Sequence, residues 1–296
     1  MNPDFLSGFV SIIGMPNAGK STLYNALMGE KLAVVNAKAQ TTRHRILGIK
    51  TTENYQIVYS DTPGVLRKLS YKMHEQMMHF VKESMEDSDI LILLIDVNEK
   101  EFSTEIAEKF NKFEGKKIVA VNKIDQTTQE WLEKKMEKWK SEFKADAFLP
   151  ISALNNFNVD LLAQWVIKFL PKHPPYFNGD EITDRSERFF VNEIIRNTIL
   201  KQYSEEIPYS TEVTTLSFKE EEKIIRISCE IITERESQKG IIIGNKGAGI
   251  KKLGTAARKD LEEFLQKHVF LELFVKVREN WRNNKNMLKQ FGYDAD

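Results

Sequence analysis

Cysteine is almost absent: Cys229 is the only one in 296 residues. An intrachain disulfide is therefore excluded, which suits a reducing compartment, and Cys229 is expected to fill space in a buried strand. The five histidines (His44, His74, His79, His173 and His268) are too scattered to offer a zinc-ligand spacing. Excess charge is also missing, since 43 Lys and Arg balance 43 Asp and Glu. Bulk charge thus predicts neither a nucleic-acid nor a membrane partner, and any such signal has to be local. There is no long hydrophobic run. The longest strongly apolar stretch, "ILILLIDV" at 90–97, falls far short of the roughly 20 residues that span a bilayer. The opening "MNPDFLSGFVSIIG" has no basic region before its short apolar run, so no signal peptide is expected. What is present, 41% apolar and 29% charged residues, is ordinary for a globular protein. The expectation is a soluble cytoplasmic chain whose length suits two domains.

Two patterns divide it. From 8 to 170, apolar runs at 8–14, 55–61, 90–97, 117–123 and 147–152 alternate with helical spacing at 20–28, 71–87, 101–113, 128–144 and 158–170. Several runs are apolar on successive residues, as in strands covered on both faces of a parallel sheet. The alternation predicts a doubly wound α/β domain, whose ligands bind at the carboxyl ends of the strands. "PKHPPYFNGDEITDRSERF" (171–189), with three prolines and mixed charges, reads as a linker. Beyond it come a helix at 186–203, alternating strands at 212–218 and 224–231 turned by "KEEEK", two helical stretches, and a strand at 271–277. That order is α-β-β-α-α-β.

"GMPNAGKS", residues 14–21, follows the first strand and opens the first helix, the context that a phosphate-binding G-x-x-x-x-G-K-[ST] loop requires. Gly14, Met15, Pro16, Asn17, Ala18 and Gly19 would turn backbone N–H groups into one concavity at the helix N-terminus. Lys20 would reach the β- and γ-phosphates, Ser21 would ligate Mg²⁺, and Thr22 continues the loop into the helix. "NKID" (Asn122, Lys123, Ile124, Asp125) selects the base. The two oxygens of Asp125 match the N1–H and 2-amino donors of guanine, whereas adenine offers an acceptor at N1. A mismatch leaves buried polar groups unpaired at about 1–3 kcal/mol each. Asn122 is expected on the N7/O6 side, with Lys123 packed over the base. "SAL" (Ser152, Ala153, Leu154) follows the last strand and can present a backbone N–H to O6.

"DTPG" (Asp61, Thr62, Pro63, Gly64) ends a strand. Asp61 sits where an acid would hold Mg²⁺ through water, and Gly64 can offer its N–H to a γ-phosphate. In "QTTRHR" (40–45), Thr42, or with less support Thr41, would complete the metal shell. Two segments that both depend on the γ-phosphate make an order–disorder switch. Together, residues 14–154 resemble the translation-factor-related GTPases. One departure stands out: Val65 occupies the position that holds a water-orienting glutamine in Ras-like members. The branch with an apolar residue there shares Pro16–Asn17, and the resemblance implies slow hydrolysis, helped by a partner or by K⁺ held near Asn17. The expected catalytic set is Lys20, Thr42, Asp61 and Gly64.

"GIIIGNKGAGIKKLG" (240–254) looks like a second phosphate loop but lacks the lysine–hydroxyl pair and lies between two helices. It fits the G-x-x-G of a KH domain of type II, which clamps the backbone of about four single-stranded nucleotides. Gly244 and Gly247 would admit phosphates closely, while Asn245 and Lys246 would bond to them. Ile241–Ile243 and Ile250 would form an apolar floor under the bases. Residues 237–259 hold six basic residues and no acidic one. Lys239, Lys246, Lys251 and Lys252 are therefore expected to meet RNA. The tail cations Arg278, Arg282, Lys285 and Lys289 fit a solvated face or a contact with RNA or membrane equally well.

A P-loop GTPase followed by one type II KH domain resembles the Era family of bacterial GTPases over nearly the whole chain. The resemblance implies a GTPase domain at 1–172, a linker at 173–185 and a KH domain with a basic tail at 186–296. It also implies GTP/GDP and the 3′ end of 16S rRNA on the 30S subunit as partners, with no obligate protein partner. A role in late 30S assembly and peripheral association with the inner membrane belong to the same implication. A non-catalytic RNA scaffold holding GTP as a structural ligand is the alternative.

Overall fold

The computed structural model describes residues 4–293. Backbone packing separates a first unit at 4–70 and 74–184 from a second at 71–73 and 185–293. The outermost three residues of each expected domain lie outside the described residues.

The apolar runs of the first unit become one six-stranded sheet. Its elements are β1 (Leu6–Gly14), α1 (Lys20–Met28), β2 (Ile46–Thr51), β3 (Tyr55–Asp61), α2 (Lys72–Glu86) and β4 (Ile90–Asp96). Then follow α3 (Thr104–Lys112), β5 (Lys116–Asn122), α4 (Gln129–Glu142), β6 (Ala147–Pro150) and α5 (Val159–Phe169). The strand order is β2-β3-β1-β4-β5-β6. All neighbours are parallel except β2 and β3. β1, β4 and β5 lie inside the sheet and are covered on both faces, which is why they are apolar on successive residues. One core cluster joins Ile13, Leu93, Ile95, Val119 and Val121 of the strands to Phe110, Trp139 and Phe143. Each such buried side chain contributes roughly 1.5–3 kcal/mol. The carboxyl ends of β1, β3 and β5 deliver Gly14, Asp61 and Asn122 to one edge.

β2 was not expected. Its sequence "ILGIKT" carries Gly48 and Lys50 among the apolar residues, and only antiparallel pairing with β3 makes it a strand. The expected linker is also more ordered than its prolines suggest. Lys172 bridges to Leu6, Gln56 donates to the carbonyl of Phe177 at 2.9 Å and accepts from the N–H groups of Tyr176 and Phe177. Farther on, Ile49 donates to the Ile182 carbonyl at 2.9 Å. The segment is thus strapped along the first unit by backbone hydrogen bonds that composition does not reveal.

The second unit comprises α6 (Glu187–Gln202), β7 (Glu212–Glu220), β8 (Ile224–Thr233), α7 (Glu236–Ile243), α8 (Ala248–Leu265), β9 (His268–Val277) and α9 (Lys285–Gln290). Its sheet runs β7-β8-β9, antiparallel then parallel. The helices cover one face through Val191, Ile195, Ile227, Ile231, Leu253 and Leu261. Cys229 is fully buried there, and burial pushes its thiol up to about 11.

The tail corrects an expectation. Arg282 is buried and paired with Glu234 rather than presented to a ligand. Beside it Trp281 is fully buried, and its indole N–H donates to the Ser210 carbonyl at 2.9 Å. Tyr293 donates to Glu212. The tail is an integral clasp of this unit. Its aromatic residues needed cover, a requirement that the cation spacing hid.

Candidate functional site

The first site grows from the turn between β1 and α1. Asn17 (φ 64°) and Gly19 (φ 97°) both take left-handed backbone. At Gly19 a Cβ would also approach the Asn122 amide nitrogen to 2.4 Å, so glycine is required twice over. The turn wraps Lys20, whose Nζ donates to the carbonyls of Gly14 (3.2 Å) and Met15 (3.0 Å). Burial lowers Lys20 to about 8, opposed by the charge of Asp61. A buried lysine satisfied only by two carbonyls and a distant carboxylate is poised for a polyanion.

Beneath it three predicted metal ligands meet. Ser21 donates to Asp61 Oδ2 at 2.7 Å, Thr42 reaches the same oxygen at 3.2 Å, and the two hydroxyls lie 2.9 Å apart. Thr41 is turned away, donating to the Lys38 carbonyl at 2.6 Å, so Thr42 is the threonine that joins the cluster. Desolvation raises Asp61 to about 6, against hydrogen bonds from Ser21 and Thr42 and the charge of Lys20. Its Oδ1 is buried without a hydrogen bond of ordinary geometry. One buried carboxylate with two hydroxyls and an unsatisfied oxygen fits an octahedral cation that keeps waters and phosphate oxygens as its remaining ligands. Among the described residues no cluster of three or more His, Cys, Asp or Glu could hold a metal by itself.

A cavity of about 400 Å³ opens above these groups. Pro16, Asn17, Gly19, Lys20, Ser21 and Thr22 line one side, Thr41 and Thr42 another, with Thr62, Gly64 and Lys123 completing it. Thr62 is held by donation to the Ile12 carbonyl at 2.8 Å. Gly64 lies against Pro16, where an added Cβ would come within 2.8 Å of its Cα. Val65 does not face the cavity. Its side chain is part of the core with Ile13 and Met15, and its N–H is donated to the Gly14 carbonyl at 3.1 Å. The apolar residue therefore anchors the end of the "DTPG" segment to the core.

The "NKID" and "SAL" loops, expected to recognise the base, meet where β5 and β6 end. Asp125 is exposed and accepts from the Ser152 hydroxyl on Oδ1. Lys123 has φ 64° and pairs with Asp96 at 2.7 Å. Asn122, expected on the N7/O6 side of the base, also makes structural contacts: its amide donates to the Ala18 carbonyl at 2.8 Å and accepts from the Ala153 N–H at 2.9 Å. It braces the phosphate loop against the "SAL" loop, with one amide hydrogen left over. The Ser152 N–H goes to the Phe157 carbonyl at 3.1 Å, and Leu154 is 75% exposed. Asp96 was overlooked by sequence reasoning, because an acid closing a strand is no signal until its lysine partner is seen.

A second site forms around the other glycine loop. Gly244 (φ 70°), Lys246 (φ 48°) and Gly247 (φ 81°) turn the chain between α7 and α8. A Cβ at Gly244 would meet the Gly249 nitrogen at 2.7 Å. Asn245, Lys246, Lys251 and Lys252 are exposed. Of the expected floor, Ile241 is exposed and Ile243 partly so, but Ile242 is fully buried in the core. On a helix, three successive isoleucines cannot share a face. Lys239 is half-buried, 3.7 Å from Glu236. Beside the loop lies a groove of about 360 Å³ between α8 and β9, lined by Ile250, Lys251, Gly254, Arg258, Phe270 and Leu273. Arg258 belongs to the six basic residues at 237–259, whereas Phe270 and Leu273 were missed in the sequence reading. The only signal was the exposed alternation of the last strand, which names no ligand.

Comparison with known proteins bears on both sites. Residues 9–123 match the family model described as 50S ribosome-binding GTPase, and residues 206–282 match the KH domain. The chain is 44% identical over 294 residues to GTPase Era of Syntrophus aciditrophicus, covering 98% of this chain and 96% of that protein. It is 42% identical over 290 residues to GTPase Era of Clostridium kluyveri, covering 97% and 99%. Among solved structures, a point variant of Aquifex aeolicus Era bound to GDP and AlF4⁻ matches with TM-score 0.92 at 35% identity, over 98% of this chain and 100% of that one. A structure of Era in complex with MgGDPNP and nucleotides 1506–1542 of 16S ribosomal RNA matches with TM-score 0.91 at 37% identity, over the same shares.

Proposed function

Because the chain belongs to the GTPase Era family, we propose that it is a slow GTP-hydrolysing switch that binds the 3′ end of 16S rRNA and assists late assembly of the 30S subunit. GTP hydrolysis itself follows from the family and from the GTPase domain. The observation that carries the reading is the meeting of Ser21, Thr42 and Asp61 beneath the Lys20 cradle. In the reaction a water oxygen bonds to the γ-phosphorus while the bond to the β–γ bridging oxygen breaks. Lys20 neutralises charge gathering on the phosphate oxygens, and the Gly64 N–H is placed to donate to the γ-phosphate. Mg²⁺, when bound through Ser21, Thr42 and Asp61, neutralises the β- and γ-phosphate oxygens. Asp125 meets the two guanine donors with its carboxylate, which the Ser152 hydroxyl orients through Oδ1, and Asn122 keeps the two loops in register.

Slow turnover is supported by Val65, whose place in the core leaves no side chain there to orient the attacking water. Asn17, exposed on the phosphate loop, supports a K⁺ contribution; turnover in K⁺ should exceed that in Na⁺ at equal ionic strength, and equal rates would remove that part. The RNA reading rests on the glycine loop, its exposed cations and the resemblance to the Era–RNA complex. No helix among the described residues is long and apolar enough to cross a membrane. A cytoplasmic location with peripheral contact at the inner membrane completes the proposal, supported by the exposed tail cations Arg278, Lys285 and Lys289. Single-turnover hydrolysis of GTP and ATP, with and without a 16S rRNA 3′-end oligonucleotide, tests the whole. We expect phosphate release from GTP only, faster with RNA. No release under either condition would restore the non-catalytic scaffold, and equal use of ATP would remove guanine selection.

A further inference from the structure

We infer that the solvent-facing side of the β7-β8-β9 sheet is a second platform for single-stranded RNA, continuous with the groove beside the glycine loop. The inference rests on reading that groove as the primary RNA site. In β9, Val269, Leu271, Leu273 and Val275 pack toward the helices. Strand alternation then sets Phe270, Glu272, Phe274 and Lys276 on the opposite side. Phe270 and Phe274 are 45% and 51% exposed. A third large apolar residue, Leu216, is 55% exposed at a bulge in β7. A helix-backed sheet gains nothing in stability from three such side chains in water, so their exposure calls for a ligand.

Register indicates the kind of ligand. Phe270 lies beside Arg226, and Arg226 beside Lys219, in one row across the sheet. The Arg226 guanidinium sits 5.3 Å from the centre of the Phe270 ring. Its ion pair with Glu221 is half exposed on both sides, and a pair of that kind exchanges readily for a phosphate. A cation beside an exposed aromatic face is what an unpaired base and its backbone require; Phe270 has one in Arg226, whereas the row partner of Phe274 is Glu230, whose charge is offset by Lys276 at 3.6 Å. Phe270 also lines the groove between α8 and β9. β9 is the sheet edge, so a strand of RNA leaving the groove passes over Phe270 and then meets Phe274. Four residues of strand separate the two rings by about 13 Å, so they would take non-adjacent bases. The opposite end is closed: Ile232 is only 1% exposed, and Tyr293 reaches Glu212 in the same row.

Length dependence tests this in the full chain. The groove accommodates about four nucleotides, so nested single-stranded RNAs of roughly five and roughly twelve nucleotides from the 16S rRNA 3′ end separate groove from platform. Phe274→Ala should weaken the longer RNA roughly tenfold and leave the shorter unchanged. Arg226→Ala should act in the same direction and reduce the salt slope for the longer RNA only. Lys246→Ala should weaken both. If Phe274→Ala leaves the longer RNA unaffected, or weakens both RNAs equally, the platform is wrong. If Lys246→Ala spares both RNAs while Phe274→Ala still weakens the longer, the groove reading fails alone. Sedimentation showing self-association that Phe274→Ala abolishes would assign the face to a second copy of this chain and overturn the inference. Phe274 is half exposed, so a matched melting temperature for the variant verifies its fold.

Discussion

Lys123 and Asp96 show how one side chain prepares another. Lys123 takes left-handed backbone, and its ammonium is 2.7 Å from Asp96, whose other oxygen accepts the Asn98 N–H at 2.8 Å. The carboxylate thus sets the direction in which the lysine stem lies over a base. Asp96→Asn should speed GDP dissociation about tenfold, the scale of 1–2 kcal/mol for a charge-assisted contact. In a Lys123→Met background the same change should add nothing to the rate, since both act through one contact. Additive effects in stopped-flow release of a fluorescent GDP would contradict this. Lys20 and Asp61 give a second prediction, in protons. Lys20 is lowered to about 8 by burial; a triphosphate restores its charged form, so GTP binding takes up a proton between about pH 8 and the ordinary lysine range near 10.4. Asp61 is raised to about 6 by desolvation; a cation favours its ionised form, so Mg²⁺ binding releases a proton between about pH 4 and 6. Calorimetry in buffers of different ionisation enthalpy reads both. Uptake should be lost in Lys20→Met and release in Asp61→Asn.

At the scale of elements, the tail clasp carries a stability prediction. Trp281 is fully buried with its N–H bonded to Ser210. Trp281→Ala should cost about 3–5 kcal/mol, as large-to-small changes in a packed core do. Urea unfolding should show the loss in the transition of the second unit, while GTP affinity stays unchanged. The same elements show what the sequence made legible. Inner strands were readable because burial on both faces writes a continuous apolar run, as in "ILILLID". The half-buried strands β8 and β9 were readable because one face alternates with the other. β2 was not, since Gly48 and Lys50 interrupt both patterns and its partner lies across a turn. The 171–184 strap is held by backbone groups and Gln56, which composition does not record. In the site, Lys20, Ser21, Asp61 and Asp125 follow from motif spacing because phosphate and guanine fix their chemistry. The brace made by Asn122 and the inward turn of Val65 depend on neighbours distant in sequence, such as Ala18 and Ile13, and emerge only when the chain is folded.

For the whole molecule, one loop serves a nucleotide and another serves RNA, and we propose that the state of the first is read by the second. The switch elements in this proposal are Thr42 and Gly64, both lining the cavity above Lys20. Linkage makes this claim quantitative, because any factor by which GTP changes RNA affinity relative to GDP must reappear as the factor by which RNA changes relative nucleotide affinity. A coupling of 1–3 kcal/mol corresponds to about 5–150-fold, within reach of direct titration. The decisive measurement is the dissociation constant of the full chain for a 16S rRNA 3′-end oligonucleotide with a non-hydrolysable GTP analogue and with GDP, paired with both nucleotide affinities in the presence and absence of that RNA. The account predicts two different RNA constants whose ratio is matched in the nucleotide titrations. Identical RNA constants in the two nucleotide states would contradict it.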